Sequence, residues 1–272
     1  MNPMVNPYQV LPALLEEVTI ETAAIKSFYL RPERPFDFKC GQFAALTVPG
    51  VGEAPFAMAS SASHPERLKF TVQRAGYMTE RLHALSPGAR LGLRGPFGNG
   101  FNVADYYGRH LLLVVGGVGF PPARALLHTA VAQKERFLSI RMCYGARSPE
   151  DVVYSDEISA LRKEIQLDLT VDSAGETWCE SLGVVTTLLQ TDQIDAAQTT
   201  AVVIGPPVMM KFATLKLLDL NLAPENIVLS MERKMYCGIG QCRHCMIDHL
   251  FICKDGPVFT YAELQNLPDI WE

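Results

Sequence analysis

The chain has 272 residues, of which 48% are hydrophobic and 19% charged, and its formal net charge is −5. This composition is typical of a globular protein, and the acidic balance argues against a nucleic-acid-binding role. No apolar run approaches the ~18 residues of a membrane-spanning helix. The first seven residues lack the charged and apolar regions of a secretory signal, so we expect a cytoplasmic location and reduced thiols.

Short β-rich segments follow one another through the first hundred residues. Each alternates apolar and polar positions, and Gly and Pro clusters separate them. The predicted strands are 17–20, 25–30, 43–48, 68–73 and 91–94. A short helix is predicted after Gly76, with Thr79 as its cap. The regular spacing of the strands predicts a small antiparallel barrel over residues 1–103.

The pattern changes after Tyr106, where residues 110–115 form a continuous apolar run. Such a run is typical of a strand that is buried on both faces of a parallel sheet. Further predicted strands are 137–144, 165–171 and 200–204, and predicted helices are 123–133, 155–163, 183–190 and 207–219. Strands that alternate with helices predict a doubly wound α/β domain over residues 104–222.

A glycine-rich turn links the first of these strands to its helix. It consists of Gly116, Gly117, Val118 and Gly119. Glycines let a diphosphate approach the backbone, and a helix start offers free amide groups, so the turn indicates a nucleotide site or simply a tight connection. Gly145 and Gly205 end two further predicted strands, at the sheet edge where α/β proteins bind ligands. Arg147, next to the first of them, is either a phosphate contact or a surface charge.

Four of the seven cysteines lie within seventeen residues near the end of the chain. They are Cys237, Cys242, Cys245 and Cys253, in the spacing Cys-x4-Cys-x2-Cys-x7-Cys. This spacing favours a plant-type [2Fe–2S] cluster in a module over residues 223–272. Zinc is the alternative, although only the middle pair has the spacing of a zinc knuckle. His244 lies between two ligands and is either an exposed loop residue or a variant iron ligand.

The order of these motifs resembles the ferredoxin–NADP reductase superfamily over nearly all of residues 10–270. The likeness is greatest in the branch with a C-terminal [2Fe–2S] module, which includes the electron-transfer subunits of dihydroorotate dehydrogenase and of anaerobic sulfite reductase and the gamma subunits of sulfhydrogenases. Overall likeness favours the anaerobic sulfite reductase subunit. The segments that carry the resemblance are 95–101, 116–119, 144–147 and 205–210, followed by the cysteines.

The resemblance implies that the barrel binds FAD through two segments. The implied contacts are Pro55, Phe56, Ala57 and Met58 in the first, and Arg74, Gly76, Tyr77, Met78 and Thr79 in the second. The first segment departs from the family pattern, because Ala54 occupies the position of the phosphate-binding arginine and Ala57 that of a hydroxyl residue. Arg74 is either the replacement cation or a solvated strand residue.

The resemblance also implies an NAD(P)H site in the α/β domain. Its implied contacts are Gly116, Gly117, Val118, Gly119, Tyr144, Gly145, Ala146, Arg147, Asp172, Gly205, Pro206 and Pro207. Asp172 follows a predicted strand, where it either contacts the ribose or forms a turn. Because an acid there suits NADH better than NADPH, we expect NADH as the substrate.

The implied function is electron transfer from NADH through FAD and the cluster to a redox subunit of a larger complex. Anaerobic sulfite reduction is the expected outlet, in which case separate iron–sulfur and sulfite-reducing subunits complete the complex. A sulfhydrogenase or dihydroorotate dehydrogenase assembly is the alternative. A non-redox protein that binds zinc and a nucleotide is a further one. No acid–base catalyst is predicted, because the cofactors supply the chemistry.

Overall fold

The computed structural model describes residues 6–271. Residues 1–5, which are most of the segment considered for a secretory signal, and Glu272 lie outside the described residues. Within the described part, no helix is both long and apolar enough to cross a bilayer.

The first half of the chain forms a six-stranded antiparallel sheet. Its strands are β1 (Leu11–Thr22), β2 (Ile25–Pro32), β3 (Phe43–Val48), β4 (Gly52–Ala57), β5 (Leu68–Gln73) and β6 (Arg90–Phe97), with helix α1 (Tyr77–His83) between β5 and β6. The order across the sheet is β4-β3-β6-β1-β2-β5. Side chains from one face, including Leu15, Phe28 and Phe70, fill a buried core. The sheet curls until its edges meet, where the Ala59 amide donates to the Lys69 carbonyl at 2.8 Å.

The second half forms a sheet that is parallel in all but its last strand. Its elements are β7 (His110–Gly116), α2 (Phe120–Val131), β8 (Ser139–Ala146), α3 (Ser155–Leu161), β9 (Gln166–Val171), β10 (Ser181–Leu182), β11 (Thr199–Ile204), α4 (Pro207–Asp219) and β12 (Ile227–Ser230). The order is β10-β9-β8-β7-β11-β12, and the antiparallel β15 (Val258–Thr260) adds the outer edge. The continuous apolar strands are buried on both faces, as expected for such a sheet.

The predicted helix over 183–190 is wrong. The short β10 ends just before it, and the chain then forms a 3₁₀ turn at Val185–Leu188. Residues 184–187 are Val, Val, Thr and Thr, whose branched side chains disfavour a helix, and Val185 and Leu188 are buried against the sheet.

The C-terminal segment is built against the α/β sheet. A small hairpin, β13 (Met246–Ile247) and β14 (Leu250–Phe251), lies between the last two clustered cysteines. Strand β15 and helix α5 (Tyr261–Leu264) follow, and Leu264 packs into the core on the same side of the sheet as α4. The tail therefore packs on its own domain, with Tyr261 stacked against Trp271.

Candidate functional site

The glycine-rich turn lies at the point where the order of the parallel strands reverses. The chain moves from β7 outward to β8 and β9, and then returns to place β11 on the other side of β7. A Cβ atom on Gly119 would lie 2.4 Å from the Ile204 carbonyl oxygen, and one on Gly205 would lie 3.1 Å from the Gly116 amide. The two glycine turns therefore touch at the carboxyl ends of the strands, where α/β proteins bind ligands.

Tyr144 supports the glycine-rich turn from within the core and is not exposed at the sheet edge. Its side chain is completely buried, and its ring packs 4.8 Å from that of Phe120, the first residue of α2. Its hydroxyl donates to the Gly117 carbonyl at 3.4 Å and accepts from the Val153 amide at 3.1 Å. Burial raises the pKa of Tyr144 to about 12, so the hydroxyl stays protonated and able to donate.

The remaining residues implied for nucleotide binding lie along the same sheet edge. Arg147 is exposed and pairs with Asp151 at 3.3 Å. The Asp172 amide donates to the Ala146 carbonyl at 3.0 Å, which places the exposed Asp172 next to the end of β8. Gly145 packs tightly on Val185, whereas Val118, Pro206 and Pro207 reach the surface. The carboxylate of Asp172 and the guanidinium of Arg147 therefore lie along the same edge of the sheet.

The first barrel segment implied for FAD presents three residues and buries the fourth. Pro55, Phe56 and Ala57 of β4 are half-buried, but Met58 is completely enclosed in the barrel core, so only its backbone can reach a ligand. Ser60 follows shortly after, and its buried hydroxyl has no hydrogen-bond partner among the described residues. An unsatisfied buried hydroxyl is costly, and a bound polar group would relieve that cost.

The second implied segment forms the start of α1, which contacts β3 and β4. Thr79 caps the start of α1 as predicted, although the N-cap residue itself is Gly76 and Thr79 is the third residue of the helix. The Thr79 hydroxyl accepts from the Ala75 and Gly76 amides at 2.8 and 3.0 Å. The next amides, of Tyr77 and Met78, lack intrahelical partners by helix geometry. Arg74 is exposed beside them.

The two halves of the chain meet where these segments approach the glycine-rich turn. Strand β5 contacts the turn directly, and Arg124 of α2 donates to the Ala59 carbonyl at 2.7 Å. Beside this contact, Glu157 of α3 lies 2.7 Å from Arg124 and 3.3 Å from the buried Lys69 of β5. The Thr71 and Tyr154 hydroxyls are 2.5 Å apart across the same boundary. Sequence patterns gave no sign of this polar cluster.

The clustered cysteines form one loop whose amides point toward sulfur. The Cys237 sulfur accepts from the amides of Ile239, Gln241 and Cys242 at 3.5, 3.3 and 3.4 Å. The Gly240 amide donates to the Cys253 sulfur at 3.2 Å. Gly238 and Gly240 have φ angles of 75° and 74°, so both positions need glycine. Amide donors directed at sulfur suit thiolate ligands that carry charge.

The thiols of the four clustered cysteines interact with one another. Cys242 interacts with Cys237, and backbone amides lower the pKa of its thiol to about 7. Burial, followed by the contact with Cys245, raises the pKa of Cys253 to about 12. The hairpin accounts for the contact between Cys253 and Cys245, because it folds back until the Ile252 amide donates to the Cys245 carbonyl at 3.2 Å. Within residues 6–271, no group of three or more His, Cys, Asp or Glu side chains is placed to hold a single metal ion.

Two features of this region were not foreseen from the sequence, and a third was. The turn after β6 is hydrogen-bonded to the C-terminal segment. The Gly98 amide donates to the Cys253 carbonyl at 3.1 Å, and the Asn99 side chain donates to the Val258 carbonyl at 2.7 Å. Glu232 follows β12 at the edge that holds the glycine turns, and desolvation by its surroundings raises its pKa although the side chain touches solvent. His244 is exposed, as one of its two interpretations requires, and packs on Tyr236.

Comparison with known proteins agrees with this architecture. Residues 113–214 match the oxidoreductase NAD-binding domain, and residues 232–265 match the iron–sulfur cluster binding domain of dihydroorotate dehydrogenase B. A solved NADH-dependent reduced ferredoxin–NADP oxidoreductase superposes with a TM-score of 0.76 at 24% identity, over 97% of this chain and 91% of that one. A ferredoxin–NADP⁺ reductase from Neisseria gonorrhoeae superposes with a TM-score of 0.71 at 19% identity, over 81% and 97%.

The fold is thus that of the ferredoxin–NADP reductases, and the matched NAD-binding domain identifies an NAD(P)H-dependent oxidoreductase. The chain is 36% identical to sulfhydrogenase 2 subunit gamma of Pyrococcus furiosus, over 94% of this chain and 96% of that protein. It is 33% identical to a probable dihydroorotate dehydrogenase B electron transfer subunit of Methanocaldococcus jannaschii, over 92% and 90%. The chain belongs to the family that includes these sulfhydrogenase gamma and dihydroorotate dehydrogenase B electron transfer subunits.

Proposed function

We propose that the protein oxidises NADH and passes the electrons through FAD and a [2Fe–2S] cluster to a partner redox subunit. One observation carries the proposal: the barrel contacts both other sites. Its strand β5 lies against the glycine-rich turn, and its β6 turn holds the cysteine loop through Gly98. A flavin on the barrel would therefore lie between a nicotinamide site and a cluster site. When bound, the cofactors supply hydride transfer and one-electron transfer, and the chain positions them.

The barrel residues fit a flavin in a modified way. Pro55, Phe56 and Ala57 offer a partly exposed surface on β4, and the buried Ser60 hydroxyl offers a free polar group. The amides of Gly76, Tyr77, Met78 and Thr79 were expected at the diphosphate, but Thr79 already holds the first of them. We assign the diphosphate to the amides at the start of α1 and to the exposed Arg74, which replaces the cation lost at Ala54.

The cysteine arrangement supports a binuclear cluster rather than zinc. In a [2Fe–2S] cluster each iron takes two cysteines. The contacts of Cys242 with Cys237 and of Cys253 with Cys245 are compatible with this requirement, and the Cys-x4-Cys-x2-Cys spacing favours it over a structural zinc ion. His244 packs on an aromatic ring at the surface and is not needed as a ligand.

The nucleotide edge supports NADH over NADPH. The exposed Asp172 would accept hydrogen bonds from a ribose, and Arg147, the cation of the predicted set, pairs with Asp151 at 3.3 Å. A 2′-phosphate would be repelled by the Asp172 carboxylate. Steady-state kinetics with each nicotinamide cofactor in turn should therefore give a lower KM for NADH than for NADPH. We place the protein in the cytoplasm, where NADH is available.

Two lines of support point to different complexes as the electron acceptor. Overall likeness of the sequence favours an anaerobic sulfite reductase, in which separate subunits reduce sulfite. The similarity to a sulfhydrogenase gamma subunit and to dihydroorotate dehydrogenase subunits favours those assemblies. Purification of the native complex, followed by assays for sulfite, hydrogen and dihydroorotate turnover, distinguishes them. NADH-dependent sulfite reduction by the isolated chain would contradict the need for a partner.

The experiment that tests the electron route uses the full chain, loaded with its cofactors and kept anaerobic. We expect NADH to bleach first the flavin absorption and then the iron–sulfur absorption. The variant Cys253→Ser is expected to keep flavin bleaching and to lose the second phase. Reduction of the cluster in the absence of flavin would refute the proposed order.

A further inference from the structure

Arg94 is a buried cation between the strand assigned to the flavin and the cysteine loop. It lies on β6 with only 6% of its surface exposed. Its Nε donates to Glu53 Oε2 at 3.2 Å, and its Nη2 pairs with the other oxygen of the same carboxylate. Glu53 directly precedes the segment that begins at Ala54. One edge of the guanidinium is therefore held by the start of β4.

The other edge of the same guanidinium reaches the cysteine loop. Nη1 donates to the Cys237 carbonyl at 2.6 Å, and Nη2 donates to the Tyr236 carbonyl at 3.2 Å. The ring of Phe97 lies 5.0 Å from the guanidinium carbon, and it packs so closely on Gly238 that an added Cβ would lie 2.8 Å from the ring. Hydrogen bonds from a charged donor are stronger than those between neutral groups.

The space between the two elements is almost closed. A narrow cleft lined by Pro55 and Phe97 on one side and by Met235 and Tyr236 on the other has a volume of ≈ 10 Å³. That volume holds at most about one water molecule. The planar side chain of Arg94 thus connects β4 to the first cluster ligand across this narrow cleft. A lysine could not make all these contacts at once.

We propose that Arg94 is a positioning residue that fixes the Cys237 loop against the flavin strand and that its charge raises the reduction potential of the cluster. The proposal rests on the proposed function, since it concerns the step from flavin to cluster. A positive charge stabilises the form of the cluster that carries the extra electron. Glu53 opposes this effect and tunes it, because it shares the same guanidinium.

The test compares four variants of the full, cofactor-loaded chain. The first three are Arg94→Gln, Arg94→Lys and Glu53→Gln. The control is Arg90→Gln, which removes the same charge from an exposed residue at the start of the same strand. The midpoint potential of the cluster is measured by anaerobic redox titration with electron paramagnetic resonance. Amide hydrogen exchange of residues 236–245 is measured by mass spectrometry, with and without the cluster.

For Arg94→Gln we expect a cluster reduction constant about tenfold lower, a shift of about 59 mV for one electron, and faster exchange in the loop. Arg94→Lys keeps the charge, so its potential stays near the wild-type value while exchange still rises. Glu53→Gln raises the potential. It also tests the charge effect if Arg94→Gln does not fold. Arg90→Gln leaves both quantities unchanged.

Equal potentials and equal exchange in Arg94→Gln and Arg90→Gln would overturn the proposal, as would a lower potential in Glu53→Gln. The proposed function fails separately, if NADH does not reduce the wild-type flavin. In that case the exchange of the cluster-free chain still decides whether Arg94 holds the loop.

Discussion

The cation cluster on Glu157 predicts how the two halves of the chain respond to a single substitution. Its carboxylate accepts from Arg124 at 2.7 Å and lies 3.3 Å from Lys69, whose side chain is only 5% exposed. His128 lies 3.7 Å away, beyond normal hydrogen-bond length. Burial alone would raise the pKa of Glu157, but the neighbouring His128, Arg124 and Lys69 outweigh it and hold the pKa well below the ordinary value.

Glu157→Gln removes the charge that offsets two buried or half-buried cations. Loss of one partner from a fully buried pair costs about 3–5 kcal/mol, and an exposed pair contributes about 0–1 kcal/mol. Glu157 is 30% exposed, and Lys69 keeps a second carboxylate, Glu21, at 3.6 Å. We therefore expect a loss of about 2–3 kcal/mol at pH 7. For a chain of this size, that loss lowers the melting temperature by about 4–12 °C.

The assay is thermal unfolding followed by circular dichroism, repeated across pH. Because the folded-state pKa of Glu157 is depressed, its contribution is complete above the unfolded value of 4.5 and is lost as the pH falls further. The difference between wild type and variant should be constant near neutral pH and shrink below about pH 4.5. Glu164→Gln, which breaks the exposed pair with Lys134, is the control and should cost about 0–1 kcal/mol, a shift in melting temperature of no more than about 4 °C. Equal melting temperatures for wild type and Glu157→Gln at pH 7, or a difference that grows in acid, would refute the reasoning.

Three further predictions concern the cysteines and the glycine turn. Cys253→Ser should abolish the iron–sulfur absorption while flavin is retained, and a full iron content in that variant would contradict the ligand assignment. Gly119→Ala places a Cβ 2.4 Å from the Ile204 carbonyl and should weaken NADH binding at least about tenfold by titration, whereas Gly175→Ala meets open space and should not. Burial raises the pKa of Cys40 to about 11 and that of Cys143 to about 12. In the cluster-loaded protein, iodoacetamide at pH 8 should therefore modify the exposed Cys179 first. Rapid labelling of Cys143 would contradict its burial.

Local sequence patterns were sufficient to predict a strand or helix whose own residues determine its structure. The apolar run at 110–115 predicts a strand with both faces covered, and β7 has this character. The helix predicted over 123–133 is α2, which starts slightly earlier, at Phe120, with Pro121 and Pro122 in its first turn. The prediction for segment 183–190 failed because its branched residues disfavour a helix and its burial against the sheet favours a 3₁₀ turn.

The contacts between distant segments could not be read from the chain. Arg94 lies 143 positions before Cys237, and nothing in either segment indicates the other. The same holds for the Asn99 contact with Val258 and for the Glu157 cluster. Tyr144 shows the converse: its motif was recognised, but only the fold reveals that its side chain supports the Gly117 carbonyl from within the core.

The most direct test of the central claim is an anaerobic titration of the purified protein with NADH, followed by visible absorption and electron paramagnetic resonance. The account predicts flavin bands together with broad iron–sulfur absorption, both bleached by NADH, and a paramagnetic signal from the reduced cluster. A colourless protein that contains zinc at Cys237, Cys242, Cys245 and Cys253 would contradict it.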